Sequence, residues 1–458
     1  MESAFSCSWS DDAGTRPNRL HENNFKQSEA VVRQSMTETD LSGKHVVVAG
    51  GGVVGLSVAY FTRQAGAHVT VLERRSVGSG ASRGNGGLIV TTDSVPLPAP
   101  GMVREGLRHL FSDDSSFFVH PTSSWRLLPF LVRFGRNSTR SRFNESLKSI
   151  DLLNVHTRSL FAEMQQVGVG TGVSSKAMLR CYKDQEKAQA DFARYTAFSQ
   201  RGLAPAPDRL LQRDELLSLE PALGERTTSG FIQNGDFWTD PSAFVDELWA
   251  YLEQDGVEFH QNTSVTDIRE RSDKVDVITD CGTYSGDHAV VTAGARTRRL
   301  AAKLGVRLIL ESGKGYSFAV TPQVLPKRAL MFGDAHVEAT PISGGRLRIA
   351  GTMEFGGADE SASRGRIDAI RRTAAQYLRG IDWSAVTDEW VGARPMTPDG
   401  LPYIGFLPNA ERTMIATGHN MLGFSLAPAT GKLVAGMLTG RAERATYAPF
   451  AVNRFDRR

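Results

Sequence analysis

Residues 45–73 constrain the fold more strongly than the rest of the chain, because they have the pattern of strand, turn, helix and strand in close succession. Residues 45–49 are a β-branched apolar run, which is typical of a short buried strand. Residues 56–64 have the apolar spacing of a helix, and residues 68–72 form a second apolar run. Three glycines between the first strand and the helix give the pattern G-x-G-x-x-G: Gly50, Gly52 and Gly55. The segment therefore predicts a β-α-β unit with a glycine-rich turn.

Each glycine has a physical reason to be there in a dinucleotide-binding turn. Gly50 permits the tight turn from strand to helix, and Gly52 lets a pyrophosphate approach the backbone. Gly55 lets the helix pack closely on the sheet, and the phosphates would lie at the helix N-terminus. The motif alone is weak evidence, since a glycine-rich turn also occurs in other α/β proteins. The strand, helix and second strand in register make dinucleotide binding the better interpretation.

Glu73 ends the second strand, at about the spacing of roughly 20 residues at which such folds place an acid. That carboxylate takes a ribose hydroxyl, whereas an arginine would accommodate a 2′-phosphate. An acid at this position therefore argues against NADP. The motif leaves NAD and FAD both open.

Composition excludes several classes of protein. A formal net charge of +3 over 458 residues is too small to indicate a nucleic-acid partner. The three cysteines, Cys7, Cys181 and Cys281, are far apart, which excludes a disulfide scaffold and a cysteine-based metal or iron–sulfur site. No apolar run approaches the ~20 residues that span a bilayer. The length favours two domains, and the cysteine usage suits a reducing, cytoplasmic compartment.

Two further segments have patterns of their own. Residues 1–43 are polar, lack sustained periodicity and carry early acidic residues, so we expect a disordered extension and no signal peptide. Residues 125–134 have the pattern of an amphipathic surface helix. Packing within the protein is the favoured role for that helix, and peripheral contact with the inner membrane is the alternative.

Small residues mark other places where the backbone approaches a partner closely. The loop at residues 79–89 is rich in glycine and serine, and either a cofactor or a flexible connection would account for it. Three alternating segments at residues 257–261, 265–271 and 274–280 predict a β-meander. A buried strand at residues 288–292 then ends at Ala293-Gly294-Ala295, a second close approach.

These features, taken with residues 392–400 and 418–425, resemble the FAD-dependent D-amino acid oxidase superfamily. The likeness is to its D-amino acid dehydrogenase and glycine oxidase branch, and it covers roughly residues 44–440. Residues 82–87, 314–317 and 427–431 also look like that branch. The C-terminal pair of motifs is much more specific than the first glycine motif.

The resemblance implies an α/β fold, with a Rossmann-type FAD-binding domain and an inserted antiparallel-sheet substrate domain. We expect the FAD-binding domain from residues 44–95, 218–305 and 390–458. The substrate domain would come from residues 96–217 and 306–389. A glycine-rich turn that opens a helix at Ser425 would direct amides and a positive helix end to the flavin pyrimidine.

The resemblance also implies the site residues. Arg394 would clamp the substrate carboxylate, since a guanidinium forks onto a carboxylate in a way that lysine cannot match. Tyr316 would lie against substrate or flavin, with a core aromatic residue of the substrate sheet as the alternative. The expected FAD-binding residues are Gly50, Gly52, Val53, Val54, Gly55, Glu73, Arg74, Ser82, Asn85, Gly86, Gly87, Val265, Gly294, Gly418, His419, Leu422, Gly423 and Phe424. No metal site is expected.

The implied reaction is oxidation of an amine next to a carboxylate, with hydride transfer to flavin N5. The substrate would be an amino acid, and the resemblance implies the D configuration. The electron acceptor would be dioxygen, a quinone or a carrier. In some members of the superfamily, FAD is attached covalently through a histidine in the loop after the second strand or through a C-terminal cysteine. Here that loop carries Asn85 and the C-terminal third has no cysteine, so we expect FAD to be held without a covalent bond. The alternatives are oxidation of a secondary amine such as sarcosine, proline or hydroxyproline, an NAD-dependent dehydrogenase, and a non-catalytic flavin-binding protein.

Overall fold

The computed structural model describes residues 41–101, 117–119, 124–202, 204–355 and 363–456. Residues 1–40, most of the segment for which disorder was predicted, lie outside these ranges. Leu41 is buried, and its backbone N–H donates to the Ala65 carbonyl at 2.9 Å. Leu41 therefore belongs to the folded core, although the sequence assigned it to the extension.

Helices and strands are interspersed along the described ranges. The helices are α1 (Val53–Gln64), α2 (Ser124–Asn137), α3 (Arg140–Asn154), α4 (Thr157–Gln166), α5 (Gln185–Gln200), α6 (Arg213–Leu219), α7 (Pro241–Gln254), α8 (Thr297–Lys303), α9 (Arg364–Ala374), α10 (Ala427–Leu438) and α11 (Arg444–Tyr447). The strands are β1 (His45–Ala49), β2 (His68–Leu72), β3 (Leu88–Ile89), β4 (Phe117–Val119), β5 (Met178–Tyr182), β6 (Leu211–Gln212), β7 (Ser229–Gln233), β8 (Phe237–Trp238), β9 (Glu258–His260), β10 (Val265–Glu270), β11 (Val275–Thr279), β12 (Thr283–Gly286), β13 (His288–Val291), β14 (Glu311–Val320), β15 (Leu330–Phe332), β16 (Val337–Ile342), β17 (Arg346–Phe355), β18 (Thr387–Met396), β19 (Tyr403–Phe406) and β20 (Thr413–Thr417).

A parallel sheet organises the nucleotide-binding part of the fold. Within the described ranges, six strands pair in the order β19-β20-β13-β1-β2-β9, and only the β19/β20 pair is antiparallel. Val46 and Val48 face one apolar core, and Val47 faces the core on the other side. Burial on both faces explains why β1 is continuously apolar. The predicted Rossmann-type fold is therefore confirmed.

Helices α1 and α10 pack together over this sheet, because glycine removes the side chain where they meet. A β-carbon at Gly431 would lie 2.3 Å from the carbonyl oxygen of Ser57. The helix predicted to begin at about Ser425 starts two residues later in the structure, at Ala427.

A second, larger sheet forms the other layer of the protein. Nine described strands belong to it: β18, β14, β17, β16, β15, β5, β7 and β6 in order, with β4 beside β17. Most pairs are antiparallel, and α9 covers one face through Ile367 and Ile370. β7 pairs with β5 in this sheet, and β18 pairs with β14. The predicted domain division instead assigned β7 and most of β18 to the FAD-binding domain. The exact domain boundaries stay a prediction.

The first segment of the predicted β-meander lies elsewhere. β9 pairs with β2 in parallel at the edge of the six-stranded sheet. The antiparallel meander consists of β10, β11 and β12. Alternating polarity predicted these strands correctly, but it does not distinguish an edge strand of one sheet from the first strand of another.

Helix α2 confirms the predicted helix at residues 125–134, and one face of it packs within the protein. Leu127, Phe130 and Phe134 are buried beside Met353 of β17. Leu128 is 59% exposed on the same helix. None of the helices in the described ranges is long and apolar enough to cross a membrane.

Candidate active site

The turn between β1 and α1 has the geometry that its glycines require. Gly50 has φ +127°, and a β-carbon there would lie 2.7 Å from the Thr292 carbonyl oxygen. A β-carbon at Gly55 would lie 1.9 Å from the Gly50 carbonyl oxygen. Both positions therefore exclude any larger residue, for the packing reason that the motif predicts.

The N-terminus of α1 is suited to an anion. Gly52 caps the helix without a side-chain hydrogen bond, and the first turn of α1, which includes Val53 and Val54, contains no acidic residue. The Val53 N–H donates to Ser82 Oγ at 3.0 Å, which joins the glycine-rich loop at residues 82–87 to this helix end. The backbone N–H groups of the first turn and the positive end of the helix dipole both point to the region in front of α1.

Glu73 is placed at the edge of this turn. Its Oε2 accepts a hydrogen bond from the Gly51 N–H at 2.8 Å, and its Oε1 accepts from the Arg75 N–H at 3.0 Å. A carboxylate has about four acceptor sites, so it retains capacity for ribose hydroxyls. Arg74 follows it and is half-buried.

Val265 and Gly294 flank the same edge of the sheet. The Thr263 N–H donates to the Glu73 carbonyl at 2.8 Å, and Val265 begins β10 two residues later. Gly294 follows β13, and its carbonyl accepts from Thr417 Oγ1 at 2.9 Å. Apart from its chain neighbours, no atom of the described residues lies within 4 Å of a β-carbon built on Gly294, so there is open space where the sequence predicted a close approach.

The turn between β20 and α10 is fastened to the strand that carries Arg394. Asn420 has φ +54°, and its N–H donates to the Pro395 carbonyl at 3.0 Å. The Asn420 side-chain oxygen accepts from the Thr397 N–H at 2.9 Å. Gly418, with φ +80°, allows this packing, since a β-carbon there would lie 2.7 Å from Thr397.

The side chains in this turn point mainly into the protein. His419 is buried and hydrogen-bonds Thr430 of α10 at 2.9 Å, and burial lowers the pKa of its imidazole to about 4. Leu422 and Phe424 lie in the core under α1 and α10. Among the described residues, a β-carbon built on Gly423 would meet only the β-carbon of His419, at 3.6 Å. The side chains of these residues pack inside the protein. Only their backbone is therefore left to contact a flavin.

The glycine-rich loop lies against the face of the nine-stranded sheet. Asn85 Oδ1 accepts from the Gly87 N–H at 2.8 Å, which shapes the loop. Ser317 of β14 donates through Oγ to the Gly84 carbonyl at 2.7 Å. A β-carbon at Gly86 would lie 1.4 Å from Glu338 Oε1. The two layers of the protein therefore meet at this loop.

Arg394 lies on the same face of the sheet. Its guanidinium covers Gly315, where a β-carbon would lie 2.3 Å from Cζ, and it donates to the Thr352 carbonyl at 3.0 Å. Burial lowers the pKa of the guanidinium, and the charge of Glu338 opposes that shift. A half-buried cation of fixed orientation can bind a carboxylate.

Tyr316 is not brought together with Arg394. It lies on the opposite face of β14, in the core against α9, and its hydroxyl donates to Glu354 at 2.8 Å. Burial and this hydrogen bond raise its pKa. The geometry supports the alternative given for Tyr316, a core aromatic residue of the substrate sheet.

Sequence reasoning missed Glu338, Asn420 and Thr352. Glu338 sits in a strand of alternating polarity, where an exposed acid would be the ordinary interpretation. Asn420 is adjacent to His419 in the recognised motif. Asparagine tolerates the left-handed conformation better than most residues, and this property could have indicated a turn residue there. Thr352 has φ +63°, which its β-branched side chain gives no reason to expect.

Comparison with known proteins identifies the family. A model described as "DAO: FAD dependent oxidoreductase" matches residues 45–437. The chain belongs to this family of FAD-dependent oxidoreductases. It is 29% identical over 405 residues to D-amino acid dehydrogenase 2 of Mesorhizobium japonicum, with 86% of this chain and 96% of that protein covered. It is 28% identical to a D-amino acid dehydrogenase of Cereibacter sphaeroides, with 90% and 95% covered.

Solved structures support the same fold. Glycine oxidase from Geobacillus kaustophilus has a TM-score of 0.68 and 26% identity, with 90% of this chain and 99% of that chain covered. L-proline dehydrogenase from P. horikoshii has a TM-score of 0.66 at 18% identity, with 90% and 98% covered, and shows the fold alone. The predicted α/β class with a substrate domain is therefore confirmed.

The residues of the nucleotide turn fit FAD. The N-terminus of α1 and the narrow approach at Gly50 suit a pyrophosphate, and Glu73 suits the adenosine ribose. The loop at residues 82–87 and the turn at residues 418–425 both lie between the two sheets, where the flavin ring would complete the site.

Proposed function

We propose that this protein oxidises the amine next to a carboxylate in an amino acid, giving an imino acid that water converts to a keto acid and ammonia. The supporting observation is the position of Arg394, a half-buried cation on the sheet face that meets the glycine-rich loop. A carboxylate is the complement of this guanidinium, and the relatives named above act on amino acids by name. The D configuration follows those names.

Arg394 would bind and orient the substrate carboxylate. The Thr352 carbonyl holds one guanidinium nitrogen, which leaves the other edge for a bidentate contact. Trp390 lies beside Gly84 and Gly392 on the same face and would exclude water. Bound FAD supplies the two-electron oxidant for the Cα–H bond. Orientation of the substrate is therefore the main contribution of the protein.

The proposed site residues divide into two groups. Gly50, Gly52, Val53, Gly55 and Glu73 would hold the adenosine and pyrophosphate, with Ser82 and Val265 beside them. Residues 85–87, Gly294 and the backbone of residues 418–424 would surround the flavin.

We also propose that electrons leave to a quinone or carrier, as the names of the dehydrogenase relatives suggest. Peripheral contact with the inner membrane through α2 stays a prediction, and so does a cytoplasmic location.

The test is anaerobic mixing of the holoenzyme with a panel of D-amino acids, glycine, sarcosine and both proline enantiomers. Bleaching of the visible flavin band by primary D-amino acids supports the proposal. Bleaching by sarcosine or proline alone would transfer the assignment to secondary amines. If no compound bleaches the band, the substrate class is wrong. Readmitting air then distinguishes oxidase from dehydrogenase by the rate at which the band returns.

A further inference from the structure

Glu338 brings a second charge to the face that carries Arg394. In the sheet register, Trp390, Ser317, Ala350 and Glu338 lie directly opposite one another on four successive strands. Ser317 and Glu338 both reach the glycine-rich loop, which shows that this row of side chains points toward the FAD-binding layer. The Glu338 carboxylate lies against Gly86 at the end of the row.

The guanidinium of Arg394 extends toward Glu338. It starts on β18, crosses Gly315 of β14 and ends at the Thr352 carbonyl on β17, the strand next to β16. Among the described residues, the two side chains form no direct ion pair, yet each acts on the pKa of the other. The two opposite charges therefore lie on one face of the sheet without an ion pair between them.

The surroundings of Glu338 favour an occupant with a positive charge. Burial raises the pKa of its carboxyl to about 7, and Arg394 is the charged neighbour that acts against this shift. The groups beside it on the loop, on β15 and on β17 are Gly86, Met331 and Ala350, which are uncharged. A cation placed next to the carboxylate would stabilise its ionised form.

We propose that Glu338 and Arg394 form a two-charge subsite, in which Arg394 takes the substrate carboxylate and Glu338 takes the amine. This inference rests on the proposed function and adds to it a residue, Glu338, that binds the substrate amine. An α-amino acid carries its amine and its carboxylate on the same carbon, so one small molecule can pair with both charges. A 2-hydroxy acid of the same shape lacks the positive charge and would bind less well.

A matched pair of unreactive ligands tests the subsite. 2-Aminoisobutyrate has no hydrogen on its α-carbon and is not oxidised, and isobutyrate has the same carbon skeleton without the amine. Their dissociation constants on the holoenzyme are measured from the shift of the flavin spectrum and by calorimetry. The variants are Glu338→Gln, which keeps the size of the side chain, and Glu389→Gln, an exposed acid on β18, as the control.

We expect Glu338→Gln to raise the dissociation constant of 2-aminoisobutyrate by about tenfold or more, which corresponds to the loss of one charge-assisted hydrogen bond. Isobutyrate should bind equally well or more tightly, and Glu389→Gln should change neither constant. FAD content and thermal unfolding of each variant establish that it is folded.

Two results would overturn the inference. Equal weakening of both ligands would mean that Glu338 supports the loop at Gly86, and no change in either would mean that it does not face the substrate. If the wild-type flavin is bleached by amino acids in either case, the proposed function stands and only this inference fails. If no amino acid bleaches it, both fail.

Discussion

The guanidinium of Arg394 donates to the Thr352 carbonyl at 3.0 Å because a bulge turns that carbonyl out of the strand ladder. Lys314 pairs with Glu354 and Tyr316 with Gly351, so residues 352 and 353 oppose Gly315 alone. Thr352 adopts φ +63°, which costs about 1–3 kcal/mol for a non-glycine residue. The fold sustains this strain at the place where the proposed substrate-binding cation is oriented.

Gly315→Ala should displace this cation. The new β-carbon would overlap the guanidinium, which is the flexible end of its side chain and can move at little cost to the fold. We expect carboxylate ligands to bind about tenfold more weakly, while the free energy of unfolding changes by about 1 kcal/mol or less. Ligand titration and urea unfolding measure the two effects. Gly172→Ala, which has open space around its β-carbon, is the control, and unchanged affinity in Gly315→Ala would contradict the assignment.

Glu73→Gln should weaken FAD binding. The amide offers one acceptor oxygen where the carboxylate now accepts from the Gly51 and Arg75 N–H groups and would take ribose hydroxyls. We expect the dissociation constant of FAD to rise about tenfold, as judged by titration of the apoprotein with FAD. Glu258→Gln on the neighbouring strand β9 is the control. Equal affinity in both variants would show that the carboxylate does not contact the cofactor.

Asn420 should tolerate glycine better than alanine. Both substitutions remove the hydrogen bonds to the Thr397 N–H and the Gly418 carbonyl, but alanine must also adopt φ +54°. We expect Asn420→Ala to lower the free energy of unfolding by about 1–2 kcal/mol more than Asn420→Gly. Urea unfolding of the holoenzymes compares them. The reverse order would mean that the turn relaxes to another conformation.

His419 should make the protein less stable in acid. Its pKa is about 4 in the fold and 6.5 when unfolded, so the unfolded state binds more protons between these values. The contribution of His419 to the free energy of unfolding is fully present above pH 6.5 and declines as the pH falls toward 4. The free energy of unfolding of His419→Gln should therefore depend on pH more weakly, by about one proton in this window. Parallel pH profiles for the two proteins would refute the assignment.

FAD should be extractable, because we predict that no covalent bond holds it. Asn85 stands in the loop that would carry an attachment site, and no cysteine follows Cys281. Precipitation with trichloroacetic acid should leave the yellow colour in the supernatant. Colour retained in the pellet after washing would contradict this prediction.

Local sequence predicted the nucleotide turn well, since its constraints act between near neighbours. A glycine is needed at Gly55 because a β-carbon there would lie 1.9 Å from the carbonyl oxygen of Gly50, and the motif itself indicates that crowding. The turn at residues 418–425 was likewise recognisable. The meander was misassigned at β9 because alternation identifies a strand but not its partner.

The side of a sheet on which a residue lies was harder to predict. Tyr316 and Arg394 both stand in the recognised motifs, yet strand pairing puts them on opposite faces of the nine-stranded sheet. Pleating alternates side chains between faces, so the face of each residue depends on the register in which β14 and β18 pair. Sequence spacing on separate strands therefore cannot relate the two residues.

The sequence by itself determined the β-α-β unit, its glycines and the acid at its edge, because these residues all belong to one continuous segment, residues 45–73. Only the tertiary structure placed Glu338 on the same sheet face as Arg394 and bonded the Asn420 N–H to the Pro395 carbonyl. Those residues are distant in the chain and lie on different strands or turns. Their proximity depends on the register of four strands and on where two layers meet, which no local pattern of residues encodes.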